Sequence, residues 1–355
     1  MQKRAKQFRA AFFSQGADAA LILSRQNIRY LTGFTGEGCV LVGRDDVAII
    51  TDFRYIEQAE IQASECVRVC TAAGITMPAS VFQMLSAWKA KHLAIGPRDM
   101  TLMMFDELKA ALPGIEMIRA DGLLHAIRAV KDPSEIECII TASEIACKAF
   151  EHILSFIQPG VTEHDVRVEL DHTMLMLGSE APAFDSIVCA GKNGALPHAV
   201  PGTHVIANGE MVTLDFGAQI MGYKTDMTRT VAVGQISDEL KRIYDTVLEA
   251  QKRALDAIRP GVTGQSIDKI ARDFIDARYP GAFGHKLGHG VGLNIHEWPQ
   301  LGQGAMQTLG PGNVVTVEPG VYITGVGGCR IEDTIILREG GFINPITSPK
   351  ELIIL

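Results

Sequence analysis

The hydrophobic and polar positions of the chain alternate along two stretches, residues 212–233 and residues 315–337. Both stretches are rich in Val and Thr, and such alternation is typical of β-strands that bury one face. Met221-Gly222 interrupts the first stretch, and the glycine-rich run 325–328 interrupts the second. We therefore predict two β-hairpins.

The chain repeats itself around these hairpins. The run VTLDFG that begins at Val212 aligns with VTVEPG at Val315, and QPGVT at Gln158 aligns with RPGVT at Arg259 at nearly the same offset. In each repeat two helical segments precede the strands. We therefore predict a duplicated α+β unit, with an antiparallel sheet on one side and helices on the other.

Helix-start signals support this order of elements. Asp132-Pro133-Ser134-Glu135 combines an N-cap, a proline in the first turn and an acid that completes a capping box. We expect a long helix from there to about residue 157. Thr162, Ser237 and Thr263 would cap three further helices, ending near residues 177, 258 and 278.

The first third of the chain has another pattern, in which short apolar runs alternate with helical ones. We predict strands at residues 19–23, 39–42, 47–51, 66–70, 92–95 and 115–119, with helices at 27–31, 53–63, 77–91 and 102–112. This alternation favours a mixed sheet flanked by helices. We therefore expect an α/β N-terminal domain at residues 1–122 and a catalytic domain at residues 123–355.

Composition and charge narrow the class of protein. A net charge of −8 argues against a nucleic-acid-binding protein, which usually carries a basic excess. No apolar run reaches the roughly 18 residues that cross a bilayer, so we expect no membrane partner. Seven scattered cysteines without a CxxC motif fit reduced thiols and a cytoplasmic protein. We expect Cys329, beside the second hairpin, to serve packing.

Each predicted hairpin carries two acids, Asp215 and Asp226 in the first and Glu318 and Glu332 in the second. Acids on neighbouring strands lie roughly 5 Å apart and repel each other. Pseudo-twofold packing of the repeats would bring all four to one site, where two divalent ions would balance their charge. Oxygen-rich ligation with some imidazole suits Mn, Co or Zn, and paired ions suit hydrolysis of an amide or ester. The alternative is four ordinary acids on hairpin surfaces.

Four of the ten histidines stand out from the others. His285, His289 and His296 lie in a glycine-rich segment between the two hairpins, and His198 follows a glycine-rich turn before the first hairpin. We expect these four to serve the site. The other six occupy strand or helix positions without a partner pattern, and we expect them to be structural.

The motifs VTLDFG, GYKTDMTRT, LGHGVGLNIHE, VTVEPGVY and CRIED together resemble those of the pita-bread metallopeptidases, in the Xaa-Pro branch that holds prolidase and aminopeptidase P. The resemblance covers essentially the whole chain. Residues 1 to about 120 resemble the creatinase-type N-terminal domain. The resemblance implies two metal ions, with Mn²⁺ favoured over Co²⁺ or Zn²⁺, a homodimer, and peptides with proline in second position as substrates.

The resemblance also implies residue roles. The metal ligands would be Asp215, Asp226, His289, Glu318 and Glu332. Of these, Asp226 and Glu332 would bridge the ions, and Glu318 would also be the acid/base that takes a proton from the metal-bound water, giving the metal-bridging hydroxide that attacks the substrate. His198 and His296 would contact the substrate and steady the tetrahedral intermediate, His285 would line the proline-side pocket, and Arg330 would support the site.

One position departs from the family pattern. Many prolidases carry an arginine after the His-Glu-x-Pro run to bind the carboxylate of a dipeptide, whereas this chain has Gln300. An amide cannot form the charged fork of a guanidinium. We therefore favour an Xaa-Pro aminopeptidase over an Xaa-Pro dipeptidase, although another basic residue could serve. An inactive binding scaffold, a metal-free amidinohydrolase of the same fold and a methionine aminopeptidase are less favoured, because all five ligands are present and the N-terminal domain is long.

Overall fold

The computed structural model describes residues 2–64, 67–71, 76–120 and 122–355. The chain divides into two compact units, residues 1–127 and 128–355. This division lies close to the 122/123 domain boundary expected from the sequence, which stays a prediction. In the described ranges, each helix is too short or too polar to cross a membrane.

Within its described residues, unit 1 is a mixed six-stranded sheet with helices, as predicted. The strands run in the order β4-β3-β2-β1-β5-β6, with β1 and β3 antiparallel to β2 and the other pairs parallel. The elements of unit 1 in chain order are α1 (Gln2–Phe13), β1 (Ala19–Ile22), α2 (Arg25–Thr32), β2 (Cys39–Val42), β3 (Val47–Thr51), α3 (Ile56–Gln62), β4 (Val67–Thr71), α4 (Met77–Ala87), β5 (His92–Ile95), α5 (Leu102–Ala111), β6 (Glu116–Arg119) and, across the division, α6 (Leu123–Arg128).

Two predicted helices of unit 1 are shorter than expected. Helix α3 starts only at Ile56, because the Asp52 carboxylate accepts hydrogen bonds from the backbone and the side chain of Arg54 and holds a turn there. Helix α4 ends at Ala87, before Lys89 takes a left-handed conformation with φ of 54°. Cys66, predicted as a strand residue, lies outside the described residues.

Unit 2 contains the duplicated architecture that the sequence predicts. The helices start at the predicted caps, and Asp132 and Thr162 each form a complete capping box. The elements of unit 2 are α7 (Pro133–Phe156), α8 (Glu163–Met176), β7 (Ile187–Ala190), β8 (Glu210–Phe216), β9 (Gln219–Ile220), β10 (Tyr223–Lys224), β11 (Met227–Val233), α9 (Asp238–Ala257), α10 (Gly264–Asp276), β12 (Gly288–Gly290), β13 (Glu297–Leu301), β14 (Val314–Val317), β15 (Gly320–Ile323), β16 (Gly327–Arg330), β17 (Glu332–Arg338) and β18 (Gly341–Ile343).

The sheet of unit 2 joins the two repeats edge to edge. Residues 128–355 are all described, and their main sheet runs β13-β12-β14-β17-β11-β8-β7, with β18 also paired to β17. Helices α7 and α8 cover the half with β7, β8 and β11, while α9 and α10 cover the half with β14 and β17. The two halves therefore meet where β11 pairs with β17.

Both predicted hairpins are present, each with a small second hairpin at its end. Strands β9 and β10 extend the first, and the turn between them contains Met221 and Gly222 at φ of 49° and 78°. Strands β15 and β16 extend the second. Strands β8 and β14 end, and strands β11 and β17 begin, where these small hairpins branch from the main sheet.

A buried ion pair holds the junction between β11 and β17. Arg229 donates to Asp333 at 2.8 Å and to the backbone carbonyl of Glu332 at 2.6 Å, and both charged side chains are almost completely buried. Asp333 also accepts hydrogen bonds from Gln251 and Asn344 at 2.9 Å. Burial raises the pKa of Asp333, but the charges of Arg229 and Lys350 outweigh it and hold the pKa below its ordinary value.

Removing Arg229 takes away one of the two cations that pair with the buried Asp333, which keeps Lys350, and leaves four backbone carbonyl groups without their donor. We expect Arg229→Met to lower the free energy of unfolding by about 3–5 kcal/mol, measured as a shifted denaturation midpoint. The matched control is Lys241→Met, which breaks the exposed pair of Lys241 and Asp245 on α9. That change should cost less than about 1 kcal/mol. Equal losses in the two variants would contradict a special role for the junction pair.

Candidate metal centre

The four predicted acids converge on one wall of a cavity in unit 2. Asp215 lies near the end of β8, Asp226 directly precedes β11, Glu318 follows β14 and Glu332 begins β17. All four line a cavity of about 810 Å³. The repeat therefore brings its two acid pairs together, as expected.

The register differs from a simple pairing of the two acids within each hairpin. Thr228 is the direct cross-strand partner of Asp215 on one side and of Glu332 on the other. Asp226 is displaced from Thr228 by two positions along the chain. Thr228 thus lies between carboxylates from the two halves and donates its hydroxyl hydrogen to Glu332 at 2.6 Å.

His289 completes a cluster with metal-ligand geometry. One ligand atom each of Asp226, His289 and Glu332 lies within 4.8 Å of the others. His289 Nε2 is 3.2 Å from Glu318 Oε1 and 3.6 Å from Asp226 Oδ2. Its Nδ1 lies 3.1 Å from the Gly290 carbonyl, the type of partner that metal-bound histidines commonly use for their second nitrogen.

Several carboxylate oxygens at this site are buried without a partner. Within the described chain, Asp215 Oδ1, Asp226 Oδ1 and Glu332 Oε1 make no hydrogen bond. Buried polar atoms are normally satisfied, so three such oxygens in one cluster call for ligands from outside the chain. Hard oxygen donors with one imidazole suit divalent ions of the Mn, Co and Zn type, and the residues therefore fit a metal centre.

The charges of the cluster shift its proton affinities. Burial and the neighbouring carboxylates raise the pKa of Asp226 and of Glu332 well above their ordinary values. Burial alone would lower the pKa of His289, but its hydrogen bond to Glu318 outweighs this and raises it. Glu318 shows the reverse: burial raises its pKa, and His289 brings it below the ordinary value.

The guanidinium group of Arg330 places a positive charge beside the acid cluster. It donates to Asp215 Oδ2 at 2.6 Å, to Thr228 Oγ1 at 3.1 Å and to Tyr322 Oη at 2.7 Å. The bond from Arg330 fixes Oδ2 of Asp215, while Oδ1 is buried without a hydrogen bond in the described chain. The predicted supporting position of Arg330 agrees with these contacts, and its role stays a proposal.

The other predicted histidines lie in the same cavity wall. The rings of His296 and His289 meet edge to face with centroids 4.3 Å apart. His285 Nε2 lies 2.9 Å from Tyr322 Oη, and His198 also lines the cavity. Burial lowers the pKa of His285, and partial burial together with His289 lowers that of His296. Both imidazoles are therefore neutral near pH 7.

Sequence reasoning missed three residues that hold these groups. Thr228 joins the two acid pairs, Thr316 donates to Glu318 at 3.0 Å, and Tyr322 connects His285 with Arg330. Thr228 lies two positions after Asp226, and Thr316 lies two positions before Glu318. Side chains two positions apart on a strand point to the same face, so this spacing could have predicted that both threonines face the site. Cys329 is fully buried, and burial raises its pKa to about 12, which fits packing.

A buried ionic clamp holds the segment that carries His296. Glu297, the next residue, forms ion pairs with Arg128 and with Lys131, the latter at 2.8 Å, and all three side chains are nearly buried. Arg128 also donates to Asn294 at 2.6 Å. The two cations come from the start of unit 2, before α7, and they fix the backbone on both sides of His296.

Comparisons with known proteins agree with this geometry. The sequence profile of metallopeptidase family M24 matches residues 137–339, and the profile of the creatinase/prolidase N-terminal domain matches residues 4–130. The chain is 41% identical to an uncharacterized peptidase, YqhT, of Bacillus subtilis, over 99% of both chains.

Solved structures show the same similarity along the whole chain. One, named Xaa-Pro dipeptidase from Bacillus anthracis, is 43% identical with a TM-score of 0.97, covering 100% of this chain and 99% of that one. Another, named X-Pro aminopeptidase from Thermotoga maritima, is 36% identical with a TM-score of 0.89, covering 96% and 98%. Both the N-terminal and the pita-bread parts of the predicted fold are thereby confirmed.

Filling the acid cluster with cations should stabilise the fold. Adding Mn²⁺ to metal-stripped protein should raise the thermal midpoint, because binding at a concentration one hundred times the dissociation constant adds about 2.7 kcal/mol to the free energy of unfolding. Glu332→Gln should lose most of this gain, whereas the exposed Glu239→Gln on α9 should keep it. Differential scanning calorimetry with and without Mn²⁺ measures both. An unchanged midpoint in wild-type protein under saturating Mn²⁺ would refute the metal assignment.

Proposed function

Because this chain belongs to metallopeptidase family M24, and so is a metal-dependent hydrolase, we propose that it cleaves the bond between a first residue and a following proline. The observation that carries the proposal is the cluster of buried acids and His289 beside three further cavity histidines. Relatives named for Xaa-Pro cleavage, at up to 43% identity over the whole chain, support the choice of bond.

We assign the metal-holding residues as Asp215, Asp226, His289, Glu318 and Glu332. Asp226 and Glu332 would each serve both ions, as the family resemblance implies, and each has a buried oxygen without a partner, as does Asp215. Mn²⁺ is the ion we favour. Bound there, divalent ions supply an acidified water molecule and positive charge for the carbonyl oxygen of the substrate.

Glu318 is the residue that transfers protons in this proposal. Its pKa lies below the ordinary value, so it is ionised near pH 7 and can accept a proton, and Thr316 and His289 orient its carboxylate. The nitrogen of proline becomes a secondary amine on cleavage and needs a proton to leave. We propose that Glu318 first accepts a proton from the attacking water and then delivers one to this nitrogen.

The cavity histidines act on the substrate in this proposal. His198 and His296 can donate hydrogen bonds to the oxygen that gains negative charge as the carbonyl becomes tetrahedral. His285 is held between the Lys286 carbonyl, 2.8 Å from its Nδ1, and Tyr322, so its ring edge is fixed as a wall for the proline side. Arg330 positions Asp215 through its hydrogen bond to Oδ2 of that carboxylate.

Both branches of Xaa-Pro cleavage are open to this site. The sequence favours an aminopeptidase, because Gln300 replaces the arginine of many prolidases. One observation favours a dipeptidase as the second candidate: Lys286 lies against Gln300 and lines the same cavity. The assay must therefore include peptides of two lengths.

The test is a release assay on metal-stripped protein with and without added Mn²⁺, using Ala-Pro, Ala-Pro-Ala and the control Ala-Ala. We expect cleavage only of proline-containing peptides and only with Mn²⁺. Glu318→Gln should lower kcat by a factor of about 10² to 10⁴, while Glu239→Gln should not change it. Rapid cleavage of Ala-Ala, or near-normal turnover by Glu318→Gln, would overturn the proposal.

We also propose a homodimer, for which unit 1 offers apolar surface. Phe53, Ile61, Leu102 and Met103 are 81%, 77%, 85% and 71% exposed. Association would cover such side chains where they form one continuous apolar patch. Light scattering should give twice the chain mass of 38.4 kDa. A mass of one chain at all concentrations would show a monomer.

A cytoplasmic location completes the proposal. Five cysteines in the described part of the chain are free thiols, which suits a reducing compartment: Cys39, Cys70, Cys147, Cys189 and Cys329. Fractionation of native cells would check it, and recovery outside the cytoplasmic fraction would contradict it.

A further inference from the structure

Three cationic side chains line the cavity, and two of them are committed to the protein itself. Arg272 grips Asp268 with two hydrogen bonds of 2.8 and 2.9 Å and donates to two backbone carbonyl groups. Arg330 is committed to Asp215, Thr228 and Tyr322. A ligand anion that entered the cavity would have to displace these bonds to reach either arginine.

Lys286 differs from both arginines. Its side chain is exposed, and its ammonium group donates to the neutral Oε1 of Gln300 at 3.0 Å. No carboxylate lies within ion-pair distance of this nitrogen in the ranges that the structure covers. An ammonium carries three N–H groups, so two are available for a ligand.

The position of Lys286 is set by packing as well as by this hydrogen bond. Its aliphatic stem lies against Gly302, where an added Cβ would come within 2.6 Å of Lys286 Cγ. A larger residue at 302 would push the stem away. The lysine therefore has a defined direction although it is exposed.

Gln300 connects Lys286 with the metal centre. It is the direct antiparallel partner of His289 in the pairing of β12 with β13. Opposed residues of such a pair point to the same face, with Cβ atoms about 5 Å apart. The amide nitrogen of Gln300 donates to the Glu297 carbonyl at 2.9 Å, so its oxygen is the end left to hold Lys286.

The charges of the cavity are arranged for a ligand with two opposite ends. The acid cluster occupies one side, and the ammonium of Lys286 donates to Gln300, the cross-strand partner of His289. An extended dipeptide spans at most about 7 Å. Its terminal carboxylate would thus be the anion closest to the bond being cut, whereas a longer peptide places an uncharged amide there.

We propose that Lys286, held in place by Gln300, binds the terminal carboxylate of the substrate and makes the enzyme selective for Xaa-Pro dipeptides. The inference rests on the proposed Xaa-Pro cleavage and deepens it. Gln300 does not bind the carboxylate itself in this proposal. It is the positioning residue that holds Lys286, and Lys286 binds the carboxylate. In that role Gln300 no longer favours longer peptides over dipeptides.

The test compares Ala-Pro with its C-terminal amide, Ala-Pro-NH₂, on the Mn²⁺-loaded enzyme. A charged hydrogen bond to a carboxylate should give wild-type protein a higher kcat/KM for the acid. Lys286→Met should lower the ratio of kcat/KM for acid over amide about tenfold or more. Lys269→Met, which removes an exposed lysine on α10 outside the cavity, should leave the ratio unchanged.

A second variant tests Gln300 without changing its size. Gln300→Glu would pair with Lys286 and present a negative charge to the substrate, so the same ratio should fall at least as far as in Lys286→Met. Raised salt should lower the wild-type ratio and leave that of Lys286→Met nearly constant.

The possible failures are distinguishable. If Lys286→Met changes turnover of acid and amide by the same factor, the carboxylate-binding role is wrong while Xaa-Pro cleavage stands. If wild-type protein cleaves Ala-Pro-Ala faster than Ala-Pro, selectivity for dipeptides is wrong. If neither Ala-Pro nor its amide is cleaved with Mn²⁺ bound, the proposed function itself fails.

Discussion

Mutual repulsion among four clustered carboxylates is the constraint on which the catalytic unit depends. Asp215, Asp226, Glu318 and Glu332 stand in one cavity wall, and burial makes each unpaired charge costly. The chain supplies partial compensation through Arg330. Burial and the neighbouring carboxylates raise the pKa of two of the acids, and three oxygens have no partner within the described chain, which fits a site that holds cations.

Strands β11 and β17 hold residues of the acid cluster on one face and a buried ion pair on the other. Thr228 and Glu332 point toward the acid cluster, while the next residues, Arg229 and Asp333, form the buried ion pair on the opposite side. Successive residues of a strand face opposite ways, so two adjacent positions on each strand suffice for both tasks. The C-terminal segment packs against the face with the ion pair, where the backbone carbonyl groups of Ser348 and Pro349 accept hydrogen bonds from Arg229.

The duplicated pattern made much of this unit predictable. Helix caps, hairpins and the acids at matching places all follow from short-range periodicity, and the structure brings the acids together with His289 as expected. Register was not predictable, because the inserted hairpin β9–β10 displaces Asp226 relative to Asp215. Contacts between distant parts of the chain were also beyond the pattern. The ion pair of Arg128 with Glu297 joins segments that no periodicity relates.

Recognition of the substrate follows a different logic from assembly of the metal centre. A pseudo-twofold pair of hairpins can build a nearly symmetric acid cluster, but a peptide has two chemically different ends and must be bound in one direction. The residues that could distinguish these ends lie outside the repeated hairpins: His198 in the loop after β7, and the segment 284–303 with His285, Lys286, His296 and Gln300. Because these four side chains of the segment are not part of the repeat, they can vary while the acids and His289 stay the same. Selectivity for peptide length should therefore be encoded there, in side chains such as Lys286 whose partners are neutral.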